Sequence, residues 1–236
     1  MIYNTSVKTA RDSVQKYLAQ KKFPRVVDLG GAMNPWAKEY VTHYFDILSL
    51  HVYLQNSPLY TEKLRQSVAF VGDMNDGYGW EEIDRDVKEH GLFDFAICTQ
   101  ALEDIRNPVY VLRSLPRIAK QGFISVPHKY RELSYCEGWK PVDQEEWGLS
   151  KPYIGYCHHR WIFTVIDGSK LRLFPKLEFV SCIAKLQELI IDKPIENELS
   201  FWWRKDIPFE IVNDDYLGPN PPALFNMYIE KIEEGI

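Results

Sequence analysis

Five short apolar runs mark the first half of the chain: Arg25–Leu29, Thr42–Ile47, Ser67–Val71, Phe93–Cys98 and Phe123–Val126; all but Phe93–Cys98 stop at or next to an acid, a glycine or a proline. Runs of this length, rich in β-branched and aromatic residues, predict strands buried in a sheet. Between them, apolar residues recur three and four positions apart. Val7, Ala10, Val14 and Leu18 predict a helix over 5–20, with Thr5 or Ser6 at its start. Pro35 suits the first turn of a second helix, where its missing N–H costs nothing. Trp80–His90 predicts a charged, exposed helix. Val109, Leu112, Leu115 and Ile118 share one face of a helix opened by Asn107 and Pro108, with Pro116 near its end. Strands alternating with helices at this rhythm predict an α/β fold: a mostly parallel sheet with helices on both faces.

The pattern changes after residue 127. Residues 128–160 are rich in aromatics, Gly and Pro and have little periodicity. Trp161–Ile166 and Leu171–Phe174 flank Asp167-Gly168, a strong hairpin signal. Phe179–Ile191 has the apolar character of a final strand. Residues 195–236 read as an irregular tail ending in a short helix near 223–233. The expected organisation is one domain over 1–193, with 194–236 an extension packed on it.

Composition narrows the function classes. A net charge of −5, with Lys and Arg scattered, disfavours a nucleic-acid partner, since phosphate neutralisation leaves a basic stripe. The four cysteines include no CxxC pair, so neither a zinc signature nor a disulfide framework is present. No apolar run approaches the ~20 residues that span a bilayer, and the N-terminal segment lacks the apolar centre of a signal peptide. The expectation is a soluble, cytoplasmic protein.

Candidate chemistry concentrates in 25–49. Val26 and Val27 lead to Asp28 and then to the turn Leu29-Gly30-Gly31-Ala32; Tyr44-Phe45 leads to a second acid, Asp46. A strand, a tight turn, a helix and a second strand tipped by a carboxylate form the first half of a nucleotide-binding unit. Such a unit cradles a ligand on backbone N–H groups and holds a ribose with the second acid. The implied ligand is a small cofactor bearing adenosine.

The run Phe93–Pro127, FDFAICTQALEDIRNPVYVLRSLPRIAKQGFISVP, resembles the fourth-strand-to-fifth-strand region of class I S-adenosylmethionine-dependent methyltransferases. With Asp28-Leu29-Gly30, Asp46 and Gly72-Asp73, the resemblance covers roughly residues 20–130. It implies a Rossmann-like, doubly wound seven-stranded sheet with a C-terminal elaboration, a cofactor half over about 20–130 and an acceptor-side segment over about 128–165. It implies S-adenosylmethionine as cofactor, with Asp28, Gly30, Gly31 and Asn34 at the methionine part and Asp46, followed by Ile47, at the ribose. Asp73 and Met74 then belong at the adenine, and Thr99 and Gln100 in the loop beneath the sulfonium. The chain departs from that pattern at Ala32 and Asn34, where small residues are usual, and at Asp104, where the fourth-strand loop usually has His. Asn tolerates the left-handed conformation that such a turn can require.

The methyl acceptor is not written in these motifs. Transfer to oxygen needs a group that removes a proton, and histidine is the natural base near neutral pH. The candidates are His128, directly after the fifth strand, and the pair His158-His159, set among Tyr153, Tyr156 and Trp161. The aromatic walls suit a small-molecule or glycan-linked acceptor. The spacing of these histidines is not diagnostic of a metal, and none is assigned. The rival readings are an inactive scaffold of the same fold, a nucleic-acid methyltransferase, and a nicotinamide-dependent oxidoreductase. GGAMNP breaks the glycine spacing that the last of these requires.

Overall fold

The computed structural model of the protein describes residues 2–5, 7–133, 156, 158–176 and 198–212. Its strands are β1 (Ile2–Thr5), β2 (Val26–Leu29), β3 (His43–Asp46), β4 (Val68–Val71), β5 (Phe95–Thr99), β6 (Gln121–Pro127), β7 (Trp161–Ile166), β8 (Lys170–Pro175), β9 (Glu198–Arg204) and β10 (Phe209–Ile211). Its helices are α1 (Val7–Lys21), α2 (Leu50–Leu54), α3 (Glu62–Arg65), α4 (Glu81–His90), α5 (Pro108–Ile118) and α6 (Lys129–Leu133). Among the described residues, seven strands form a central sheet in the order β1-β9-β6-β5-β2-β3-β4, and β10-β8-β7 form a second, smaller sheet. The fold class is the one expected: α/β, with neighbouring strands from β4 through β6 all parallel.

Side-chain alternation along the strands divides the interior into two layers. Val27, Leu29, Phe45, Ala96, Cys98, Ile124 and Val126 pack against Ile83 of α4 and Val111, Leu112, Leu115 and Ile118 of α5. Val26, Tyr44, Phe95, Ile97 and Phe123 point the other way, onto Ala10, Val14 and Leu18 of α1. Both faces are therefore covered by helices, as a parallel sheet requires. At the head of α5, the Asn107 side chain accepts the Tyr110 N–H at 3.2 Å, and Pro108 takes the position that needs no donor.

Four differences from the sequence expectation have physical reasons. Glu198–Arg204, read as part of an irregular tail, is an interior strand that pairs antiparallel with β6 along its whole length. Ile2–Thr5, placed before or at the start of the first helix, pairs antiparallel with β9; both pairings join segments far apart in the chain, which local periodicity cannot register. The helix expected after Pro35 is instead a chain of turns over 36–40. That stretch is too short to repay helix nucleation, and the Trp36 carbonyl accepts the Gln15 side-chain amide at 2.8 Å. Asn34 does not take the left-handed conformation: positive φ in this region falls on Gly30, at 78°.

The hairpin over 161–175 forms as its Asp-Gly dipeptide predicts. Asp167 and Gly168 have φ of 50° and 66°, and Ser169 N–H closes the turn on Ile166 O at 3.2 Å. The strand expected at 179–191 and the helix expected near 223–233 lie outside the described residues. Among those residues, no helix is long and apolar enough to cross a membrane.

His43, buried at the start of β3 between Phe70 and Phe93, has its imidazole pKa pushed down to about 4 by burial. The unfolded chain takes up this proton near the ordinary value, so the stability it contributes is present above that value and is lost as pH falls toward 4. Chemical denaturation at about pH 7.5 and about pH 4.5 is expected to show an acid-side loss of up to about 3 kcal/mol from this group, reduced in His43→Gln.

Candidate functional site

The strand order reverses between β2 and β5, with β3 and β4 to one side and β6 to the other. In an open parallel sheet, that switch leaves a crevice beyond the carboxyl ends of the strands. Five strand ends deliver their following loops to the same edge: Gly30–Ala32 after β2, Ile47 after β3, Gly72–Met74 after β4, Gln100–Asp104 after β5 and His128 after β6. The sequence-predicted cofactor residues therefore share one rim.

The turn after β2 is tightly fitted. Gly30 donates its N–H to Phe45 O at 2.9 Å, and a Cβ added to it would lie 2.7 Å from the Ala101 Cβ. A Cβ on Gly31 would fall on the Asp28 carboxylate. The backbone is thus bare on the side facing the β5 loop, and Asp28 lies directly beneath it. Asp28 is fully buried and neither of its oxygens has a hydrogen-bond partner among the described residues. Burial pushes its pKa well above the carboxylate range, Asp46 pushes it further, and Arg11 opposes them.

Asp46 is better supported. It accepts the Ile47 N–H at 2.7 Å and the Ala32 N–H at 3.3 Å, which offset part of the rise that burial imposes on its pKa. Asp73 closes a turn on itself: its Oδ1 accepts the Asn75 backbone N–H at 2.9 Å and the Asn75 amide at 2.6 Å. Met74 is buried below the glycine turn. Thr99 accepts the Trp36 indole N–H at 3.1 Å, and Gln100, held at a φ of 53°, donates its amide to Glu198 at 3.2 Å. Asn34 and Ile47 are exposed at the rim.

A second group assembles where the β5 loop meets the start of β7. The Glu103 carbonyl accepts the Arg160 N–H at 2.6 Å and the Trp161 N–H at 3.2 Å, and the Trp161 indole donates to Ile105 O at 3.1 Å. These bonds stitch the start of β7 to the β5 loop and set His158 and His159 beside Asp104. The His159 Nδ1 lies 2.6 Å from Glu132 Oε2, and its Nε2 lies 3.5 Å from Asp104 Oδ1. The His158 Nε2 is 3.7 Å from the same Asp104 oxygen. Behind them, buried Lys176 pairs with the other Glu132 oxygen and donates to Tyr156 O at 2.6 Å, while the Tyr156 ring stacks on His159 at 4.5 Å.

His128 stands apart from this group. Its Nδ1 accepts the Tyr130 N–H at 3.2 Å, so the neutral ring keeps its proton on Nε2 and has no free lone pair. Burial also lowers its pKa. Folding adds charged side chains that the sequence reading gave no role: Glu132 and Lys176 behind His159, and Glu103 and Glu198 behind the rim. Both Glu103 oxygens are buried without side-chain partners among the described residues, and burial raises its pKa as it does that of Glu198. Only Asp104 carried a sequence signal, as the substitute for the usual loop histidine.

The family model described as "Methionine biosynthesis protein MetW" matches residues 78–134, which run from the turn before α4 to the end of α6. No curated protein sequence matches the chain. Among solved structures, the methyltransferase domain of bacterial CtHen1-C is similar at 11% identity and a TM-score of 0.45, over 83% of this chain and 96% of that one. An O-methyltransferase family protein from Burkholderia thailandensis is similar at 12% identity and a TM-score of 0.44, over 85% and 56% of the two chains. The N-terminal domain of EvdMO1, solved with SAH bound, is similar at 15% identity and a TM-score of 0.36, over 61% and 56%. At such scores it is the chain's own strand order that carries the assignment. A parallel sheet that reverses at β2 and β5, an antiparallel strand inserted beyond β6, and strand-tip acids beside a glycine turn together make a Rossmann-like α/β fold.

Proposed function

We propose that the protein binds S-adenosylmethionine in the β2–β5 crevice and transfers its methyl group to an oxygen of a small-molecule or glycan-linked acceptor. The observation that carries this reading is the pair of strand-tip carboxylates on either side of a side-chain-free turn: Asp28 buried and unpartnered, Asp46 already held by two N–H groups. A carboxylate buried without partners costs stability, and a cationic, hydrogen-bonding ligand recovers that cost. Gly30 and Gly31 would carry the methionine part, Asp46 the ribose hydroxyls, and Asp73 with Met74 the adenine, with Thr99 and Gln100 below the sulfur and Asn34 and Ile47 at the rim. When bound, the cofactor supplies an electrophilic methyl group on a positive sulfur.

The protein's part is to position the acceptor and handle its proton. As the acceptor oxygen bonds to the methyl carbon, the sulfur–carbon bond breaks, its electron pair returns to sulfur, and the acceptor gives up its proton. The Asp104–His158–His159 group is the proposed place for that event. Glu132 orients the His159 ring so that Nε2 faces Asp104, whereas the His128 lone pair is already occupied. A net charge of −5 with Lys and Arg scattered along the chain supports a small or glycan-linked acceptor over a nucleic acid.

Calorimetric titration with S-adenosylhomocysteine is expected to show one site per chain. Asp46→Ala is expected to weaken it by about 2 kcal/mol, or roughly thirtyfold, through loss of charge-assisted hydrogen bonds; an unchanged affinity would put the ribose elsewhere. Asp28 yields a separate expectation. Its folded pKa is raised, so its contribution is greatest in acid and is lost as pH rises. Asp28→Asn, which cannot ionise, is therefore expected to gain stability over wild type between about pH 4 and about pH 8 in urea melts, while losing affinity for the nucleoside.

A further inference from the structure

We propose that Asp104, His158 and His159 form a binding site for one divalent first-row transition metal ion, with Zn²⁺ as the representative probe. The inference rests on the acceptor site proposed above and refines it: the two imidazoles act as ligands, and the ion acidifies the acceptor hydroxyl. One donor atom from each of the three residues lies within 4.8 Å of the others. The separations of 3.5 and 3.7 Å from Asp104 Oδ1 to the two Nε2 atoms suit a shared ion. Tetrahedral zinc, with ligand bonds of about 2.0–2.1 Å, sets its donors about 3.3 Å apart. Two imidazoles and one carboxylate are a donor set for such metals, and three protein ligands leave a position open.

Hydrogen bonding around the group supplies the second line of argument. With Nδ1 2.6 Å from Glu132 Oε2, the His159 ring proton sits on Nδ1 and the Nε2 lone pair faces Asp104. This is the carboxylate–histidine arrangement that orients a metal ligand. Glu132 is itself held in place by an ion pair with buried Lys176. Asp104 Oδ1 is buried and has no hydrogen-bond donor among the described residues.

The location gives the ion a role. Asp104 closes the loop turn on Ala101 through an N–H bond of 3.2 Å, and Ala101 abuts Gly30 of the cofactor turn. An acceptor hydroxyl taking the open coordination position would have its pKa lowered by the ion, releasing its proton to solvent as the new oxygen–carbon bond forms.

The test is calorimetric titration of the chelator-stripped full chain with ZnCl₂, in the absence of any nucleoside, together with visible spectra of the Co²⁺-loaded protein. The expected result is one equivalent bound and intense four-coordinate ligand-field bands. Asp104→Ala and His158→Ala are each expected to weaken Zn²⁺ by at least about tenfold and to remove the bands, with folding checked by circular dichroism. His90→Ala, on the far helix α4, serves as the control and is expected to leave both readouts unchanged. Absence of stoichiometric binding, or equal binding in Asp104→Ala, overturns the proposal. Titration of the same samples with S-adenosylhomocysteine separates this outcome from failure of the cofactor reading, since nucleoside binding does not require the metal ligands.

Discussion

A fully buried carboxylate with no partner is the constraint on which the rest of the site turns. Asp28, the penultimate residue of β2, lies beneath the bare backbone of Gly31 and finds no donor for either oxygen among the described residues. Nothing in the packing of β2 asks for an acid there; Val26, Val27 and Leu29 fill the same strand without charge. Stability alone would place an apolar residue at this position. The acid is intelligible as a group whose partner arrives from outside the chain. The glycine turn above it leaves room for that partner, and Asp46, supported by two backbone donors, stands on the next strand to hold another part of it.

The two halves of the site follow from one topological fact and one set of stitches. Because β2, β3, β4, β5 and β6 run parallel, their C-terminal loops meet at one edge whatever their sequences. Because the Glu103 and Ile105 carbonyls bind the backbone and indole of the β7 entry, two histidines more than fifty residues downstream are brought to Asp104. The sheet thus gathers the strand-tip acids and the glycine turn, and the second sheet's first strand carries the histidine group to them. β9 and β1 complete the far edge, and β9 also contributes Glu198, which anchors Gln100 and takes an ion pair from Arg11 at 3.4 Å.

What the sequence disclosed and what it hid divide along the same line. The strand-tip acids and the glycine turn were readable because each is a local pattern: an apolar run, then an acid, then a residue that permits a bend. The Asp167-Gly168 turn was readable for the same reason, its positive φ values being demanded by the two-residue connection. β1 and β9 were hidden because a pairing across most of the chain leaves no periodic trace, and β9 sits in a stretch that looks like tail. The turns at 36–40 went against the proline signal because Gln15 takes the Trp36 carbonyl, a contact no local rule contains. Of the three histidines singled out, sequence could not rank one above another. Only the acceptor role of the His128 Nδ1 and the Glu132 and Lys176 backing of His159 do so. Those partners are ordinary charged residues until folding buries them together.

The central claim is that the crevice at the reversal of strand order receives the nucleoside of a methyl donor. The most direct measurement is a crystal structure of the chain with S-adenosylhomocysteine. The account predicts the ribose on the Asp46 carboxylate, the amino-acid end over Gly30 and Gly31 above Asp28, and the sulfur directed toward Asp104. A nucleoside bound on any other surface, or a crevice closed by the chain's own side chains with none bound, would contradict it.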